Sequence, residues 1–95
     1  MKIVIAPRAR RDLANQLGYL VDHGATRAAH RLERRLTSFL NNTVARYPRT
    51  GTFIAQRDLW ESWVPDTRLV IWYRFTAHEL QVVRVWHASQ DRQKV

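Results

Sequence analysis

Four side chains in the last third of the sequence could act on a phosphate: Arg68, Arg74, Arg84 and His87. Cleavage of RNA by its own 2′-hydroxyl needs a general base, a general acid and a cation facing the charge that builds on the phosphorane. An imidazole titrates near neutral pH, and guanidinium groups fork onto phosphate oxygens. Arg68, Arg74 and His87 are therefore the candidate catalytic set if the chain is a ribonuclease. The competing reading makes His87 a structural histidine bonded to the chain's tail, and the lack of a partnered base favours it. For Arg68, Arg74 and Arg84 the competing reading is solvated charge on a sheet.

Other chemistries find little footing. The chain has no cysteine, which excludes disulfides, thiol nucleophiles and cysteine-bound zinc. His23, His30, His78 and His87 show no metal-ligand spacing, so neither a metal nor a cofactor is expected. Trp60, Trp63, Trp72 and Trp86 stand among arginines, as in surfaces that stack single-stranded bases. The reading taken is that most are core or interface anchors, because base-stacking sheets carry an ordered aromatic motif that this sequence does not spell out.

Charge is the strongest compositional signal. Sixteen Lys and Arg face eight Asp and Glu, for a formal net charge of +8. Residues 1–49 carry ten of those cations against Asp12, Asp22 and Glu33; residues 50–95 carry six against five acids. Most of the cations are Arg, which suits carboxylate, phosphate and aromatic partners. An acidic protein segment or a nucleic acid is the expected partner. A solvated helical surface in an arginine-biased genome is the bland alternative.

These residues need a scaffold, and 95 residues supply one domain with one core. No apolar run is long enough to span a bilayer, and Met1–Ile5 is too short for a signal peptide before Ala6-Pro7. A cytoplasmic chain without membrane partners is expected. Lys2–Ala6 reads as a first strand, and Pro7 suits a helix start. Ala9, Leu13, Leu17 and Leu20 form one stripe of that helix, and Gly24 stops it. Ala25, Ala29, Leu32, Leu36, Phe39, Thr43 and Tyr47 continue as a second helix, closed by Pro48 and Gly51. Leu32, Leu36 and Phe39 should face the sheet, and the short link at His23–Ala25 forces an antiparallel hairpin. Arg31, Arg34 and Arg35 are expected on its outer face.

Arg57–Val64, Leu69–Phe75 and Leu80–Trp86 are rich in Trp, Val, Ile, Tyr and Phe and read as a three-stranded antiparallel meander. Leu69, Ile71, Tyr73 and Phe75 should point to one face; Val70, Trp72 and Arg74 to the other, with Arg68 sharing their face. One face should meet the helices and the other should stay open to solvent or a partner. The expected fold is two-layer α+β, in the order β-α-α-β-β-β.

That order and several motifs resemble the RelE/ParE superfamily of type II toxins, closest to its ParE branch. Leu69–Phe75 resembles the family's aromatic-Tyr-Arg strand, and Val82–His87 with Asp91 is similar to the ending of ParE-type members. Pro7–Leu13 looks like their first-helix opening, and Pro65 sits where they often carry a proline. The resemblance implies a plasmid-stabilisation-type toxin that forms a hetero-oligomer with an acidic cognate antitoxin and inhibits DNA gyrase. Arg31, Arg34, Arg35, Arg68, Arg74 and Arg84 are then candidates for contacts to antitoxin or target.

The RelE branch implies instead a ribosome-dependent mRNA endonuclease. Its strand arginine is matched here by Val70, its C-terminal arginine by Ala88, and no Tyr follows Tyr73. Ser62 stands where ParE-like chains often carry Arg. An mRNA endonuclease using Arg68, Arg74 and His87 stays open, as does an inactive homologue that only binds its antitoxin.

Overall fold

The computed structural model describes residues 1–90; Asp91, read as part of the terminal motif, lies outside them. The chain runs β1 (Lys2–Ile5), α1 (Pro7–Asp22), α2 (Thr26–Phe39), β2 (Thr52–Ile54), β3 (Leu59–Trp63), β4 (Leu69–Phe75) and β5 (Glu79–His87). All five strands form one sheet in the order β1-β5-β4-β3-β2. β1 pairs with β5 in parallel, and the other neighbours are antiparallel. After β1 the helical hairpin carries the chain to the far edge of the sheet, and the meander returns it beside the first strand.

Local chemistry explains most of the boundaries. Pro7 opens α1, where its missing N–H costs nothing. Gly24, at φ +75°, turns the chain between the helices. The second helix keeps its expected phase through Ala29 and Leu36, both buried, with Leu32 and Phe39 packed against the core. It then departs from it. Leu40–Val44 form a π-helical turn, closed by an N–H···O bond from Ala45 to Leu40. The wider turn shifts the stripe by one residue, so Leu40 and Val44 enter the core. Thr43 and Tyr47 do not continue the buried stripe, and Tyr47 is 62% exposed.

The meander has one more strand than expected. Thr52–Ile54 is too short to show an alternation, and a 3₁₀ turn at Ala55–Arg57 with Asp58 at φ 52° reverses it into β3. The strand expected from Arg57 therefore begins at Leu59.

Leu69, Ile71 and Tyr73 face the helices as expected, with Leu80, Val82 and Val85 beside them. The opposite face is not simply open. Leu59, Val70, Trp72 and Trp86 form a second buried cluster there, flanked by Ile54 and Val83. Guanidinium groups cover its rings: Arg57 lies 5.0 Å from the Trp72 centroid and Arg84 lies 3.8 Å from a Trp86 ring centroid. A register shift at Trp72/Tyr73 makes room for Val83. The tryptophans thus divide: Trp72 and Trp86 are core, Trp60 is half-buried, and Trp63 is exposed.

Candidate functional site

Three surface features collect the candidate residues. The first is the outer face of α2. Arg31, Arg34 and Arg35 all lie exposed there and, with Ser38, line a shallow depression of about 250 Å³. Arg35 reaches Asp66 in the β3–β4 turn at 3.1 Å. Both side chains are well exposed, so this pair contributes little to stability. Arg31 and Arg34 make no ion pair among the described residues, so the face keeps most of its positive charge.

The second feature is a cleft of about 520 Å³ between α1 and the end of the sheet. Leu20, Leu32 and Leu69 make its walls apolar, while Gln16, Arg68, His87 and Gln90 supply polar groups. Tyr19 lies at the same cleft, its ring stacked on His23 at 4.1 Å. His87 is tied to the residues that follow it. Its Nδ1 accepts the Ser89 backbone N–H at 3.2 Å and lies 2.7 Å from the Ser89 hydroxyl, while the His87 backbone N–H donates to the Gln90 side-chain oxygen. Among the described residues these bonds involve no carboxylate.

The third feature lies across the sheet, a depression of about 400 Å³ lined by Arg57, Trp72, Arg74, Arg84 and neighbours. Its cations are already engaged. Arg84 donates two hydrogen bonds to Asp12, at 2.7 and 3.0 Å, and Asp12 also accepts the Val85 N–H at 3.0 Å. Arg74 Nε donates to the Asp58 carbonyl, and Trp72 Nε1 donates to Glu61 at 2.7 Å.

The three candidate catalytic residues are therefore not gathered. Arg68 and His87 share the helix-side cleft, and Arg74 is in the depression across the sheet. Counting from Val70 puts Arg68 on the face of Arg74, but β4 begins only at Leu69 and Arg68 belongs to the turn before it. Strand alternation does not reach it. Asp12 was missed for a different reason: it lies off the α1 stripe, 72 positions from Arg84, and nothing local marks the pair. Tyr19 had a signal, a large ring off the apolar stripe near the end of α1.

Among the described residues no three His, Cys, Asp or Glu side chains cluster as a metal site. None of the described helices is long and apolar enough to cross a membrane.

The family model described as the ParE toxin of type II toxin-antitoxin system, parDE, matches residues 3–92. The chain belongs to the ParE toxin family. A solved structure similar to it is the chromosomal ParDE toxin–antitoxin system from P. aeruginosa. The likeness has a TM-score of 0.65 at 13% identity, over 92% of this chain and 95% of that one, and it bears on the fold. No curated protein sequence matches.

Within this ParE-family chain, the tyrosine of the family-like strand is a structural anchor. The Tyr73 hydroxyl donates to the Pro48 carbonyl at 2.6 Å and is also hydrogen-bonded by the Gly51 backbone. Burial pushes its pKa above the usual value of 10.0. Gly51 is required by the same contact: a Cβ there would meet the Glu61 carbonyl oxygen at 2.5 Å and the Tyr73 hydroxyl at 2.6 Å.

Proposed function

We propose that this ParE-family chain is a toxin neutralised by an acidic antitoxin segment and directed against DNA gyrase in the cytoplasm. The observation that carries the antitoxin reading is the helix-side cleft, with its apolar walls, its cationic Arg68 and the arginine face of α2 on the same helical hairpin. An acidic segment can bury apolar anchors between Leu20, Leu32 and Leu69 while its carboxylates meet the arginines. Both contributions are needed, because a segment that orders on binding must offset its lost conformational entropy. The similar P. aeruginosa structure is of a toxin–antitoxin system, which supports a hetero-oligomer.

The separation of Arg74 from Arg68 and His87 supports gyrase over mRNA as the target, since transesterification needs its acid, base and cation around one phosphate. Purified chain should inhibit supercoiling of relaxed plasmid by gyrase while mRNA on translating ribosomes stays intact. Ribosome-dependent cuts that vanish in His87→Ala overturn this reading in favour of an mRNA endonuclease. Unchanged supercoiling together with intact mRNA points to an inactive homologue that only binds its antitoxin.

A further inference from the structure

A further surface lies at the β2 end of the molecule and belongs to none of the clefts above. A row of rings steps outward across three strands: Tyr73 to Phe75 at 6.4 Å, Phe75 to Trp60 at 5.6 Å, Trp60 to Phe53 at 5.5 Å. The row starts in the core and ends in solvent, with Phe53 48% exposed. Tyr47 is also exposed, and the Pro48–Thr50 turn that follows it is pinned by Tyr73. Arg49 sits with its guanidinium 5.5 Å from the Phe75 centroid, and Arg46, which precedes Tyr47 in the chain, is exposed. From Arg34 to Arg57 the sequence holds five arginines and no acidic residue.

We propose that this face binds single-stranded nucleic acid. Two exposed rings, Phe53 and Tyr47, with the half-buried Trp60 and Phe75 behind Phe53 and the guanidinium groups of Arg46 and Arg49 nearby in the chain, offer stacking for bases and bidentate contacts for phosphates. The successive rings are tilted by 51° and 55° to each other, so they present separate surfaces rather than one flat apolar wall. An acidic peptide is the nearest competitor. The main-chain pairing through which extended peptides gain affinity has little to hold here, because β2 is three residues long with 3₁₀ turns on both sides. A second copy of the chain is disfavoured by the formal charge of +8 on each partner.

The test is fluorescence anisotropy with a labelled twelve-residue oligothymidylate and the full chain at two salt concentrations. Binding should weaken as salt rises, as phosphate contacts require. Phe53→Ala and Tyr47→Ala leave the charge unchanged and should each weaken binding about ten-fold, with far-UV circular dichroism unaltered. A duplex of equal length should be insensitive to both substitutions. No binding, or binding that both variants retain in full, overturns the proposal and leaves only bulk charge. Equal competition by a polyglutamate peptide carrying one tryptophan overturns it in favour of an acidic protein partner.

Discussion

Asp12 and Arg84, 72 positions apart, form a bidentate ion pair in which each side chain is only 13% exposed. Asp12 does a second job at the same time. β1 covers β5 only from Glu79 to Val82, so the edge of β5 beyond Val82 has no strand partner on that side. The Asp12 carboxylate supplies an acceptor there for the Val85 N–H. One carboxylate on α1 thus satisfies a strand edge, orients Arg84 and holds its guanidinium against Trp86.

Asp12→Ala should therefore cost about 2–4 kcal/mol, between the values of exposed and fully buried pairs. Arg84→Met, which keeps an unbranched chain over Trp86, should cost less, and the double variant should be more stable than the sum of the two losses implies. Urea melts of the four proteins give the coupling. A strictly additive cycle would show that the pair has no net interaction.

Tyr73 and Gly51 make a second pair. Tyr73→Phe leaves the Pro48 carbonyl without its donor and should cost about 1–3 kcal/mol. Gly51→Ala should cost at least as much, because the backbone carbonyl of Glu61 stands in the way of a Cβ. The raised Tyr73 pKa also carries a sign. The folded state holds its phenolic proton more tightly than the unfolded state, so this contribution is complete below pH 10 and is lost as pH rises through the folded-state value. A spectroscopic titration near 295 nm should show an ionisation above pH 10 that Tyr73→Phe removes, and the variant's stability should fall less steeply at alkaline pH.

The re-phased end of α2 predicts a contrast. Leu36→Ala should cost about 2–5 kcal/mol, as buried leucine truncations do. Tyr47→Ala should change stability by less than about half a kcal/mol, although both residues fall on one stripe in the sequence. Equal losses at the two positions would mean that the stripe runs on past Leu40 without the π turn.

How much of this was legible followed from the range of each signal. The helices and β4 were, because their periodicity repeats over many residues and the core selects for it. The family resemblance rested on short motifs in order, and the match over residues 3–92 agrees with it. β2 was not, since three residues carry no period. The covered outer face was hidden as well: Trp72 and Trp86 are buried partly under arginines, and composition alone reads those as surface charge. The cleft at Arg68 and His87 depends on where a turn ends and a strand begins, a difference of one residue that reverses a face.

The arginines of α2 supply the last prediction. Arg31, Arg34 and Arg35 are exposed, and only Arg35 has an ion-pair partner among those described, the exposed Asp66. Exposed charges at the rim of an interface act mainly on encounter, by steering the partner in, whereas buried apolar anchors govern how slowly it leaves. If the acidic antitoxin segment crosses this face, association of toxin and antitoxin should fall steeply with added salt. Reversing all three arginines to glutamate should slow association by at least ten-fold in low salt and change dissociation much less. The fold should survive, since the ion pair lost is exposed and water screens the repulsion that the substitution Arg35→Glu sets up against Asp66. Truncating the cleft wall with Leu20→Ala should do the reverse, speeding dissociation with little effect on the association rate. Surface plasmon resonance on the cognate pair separates the two rates. A triple variant that associates at the wild-type rate in low salt would remove α2 from the antitoxin interface and leave its charge to gyrase or to nucleic acid.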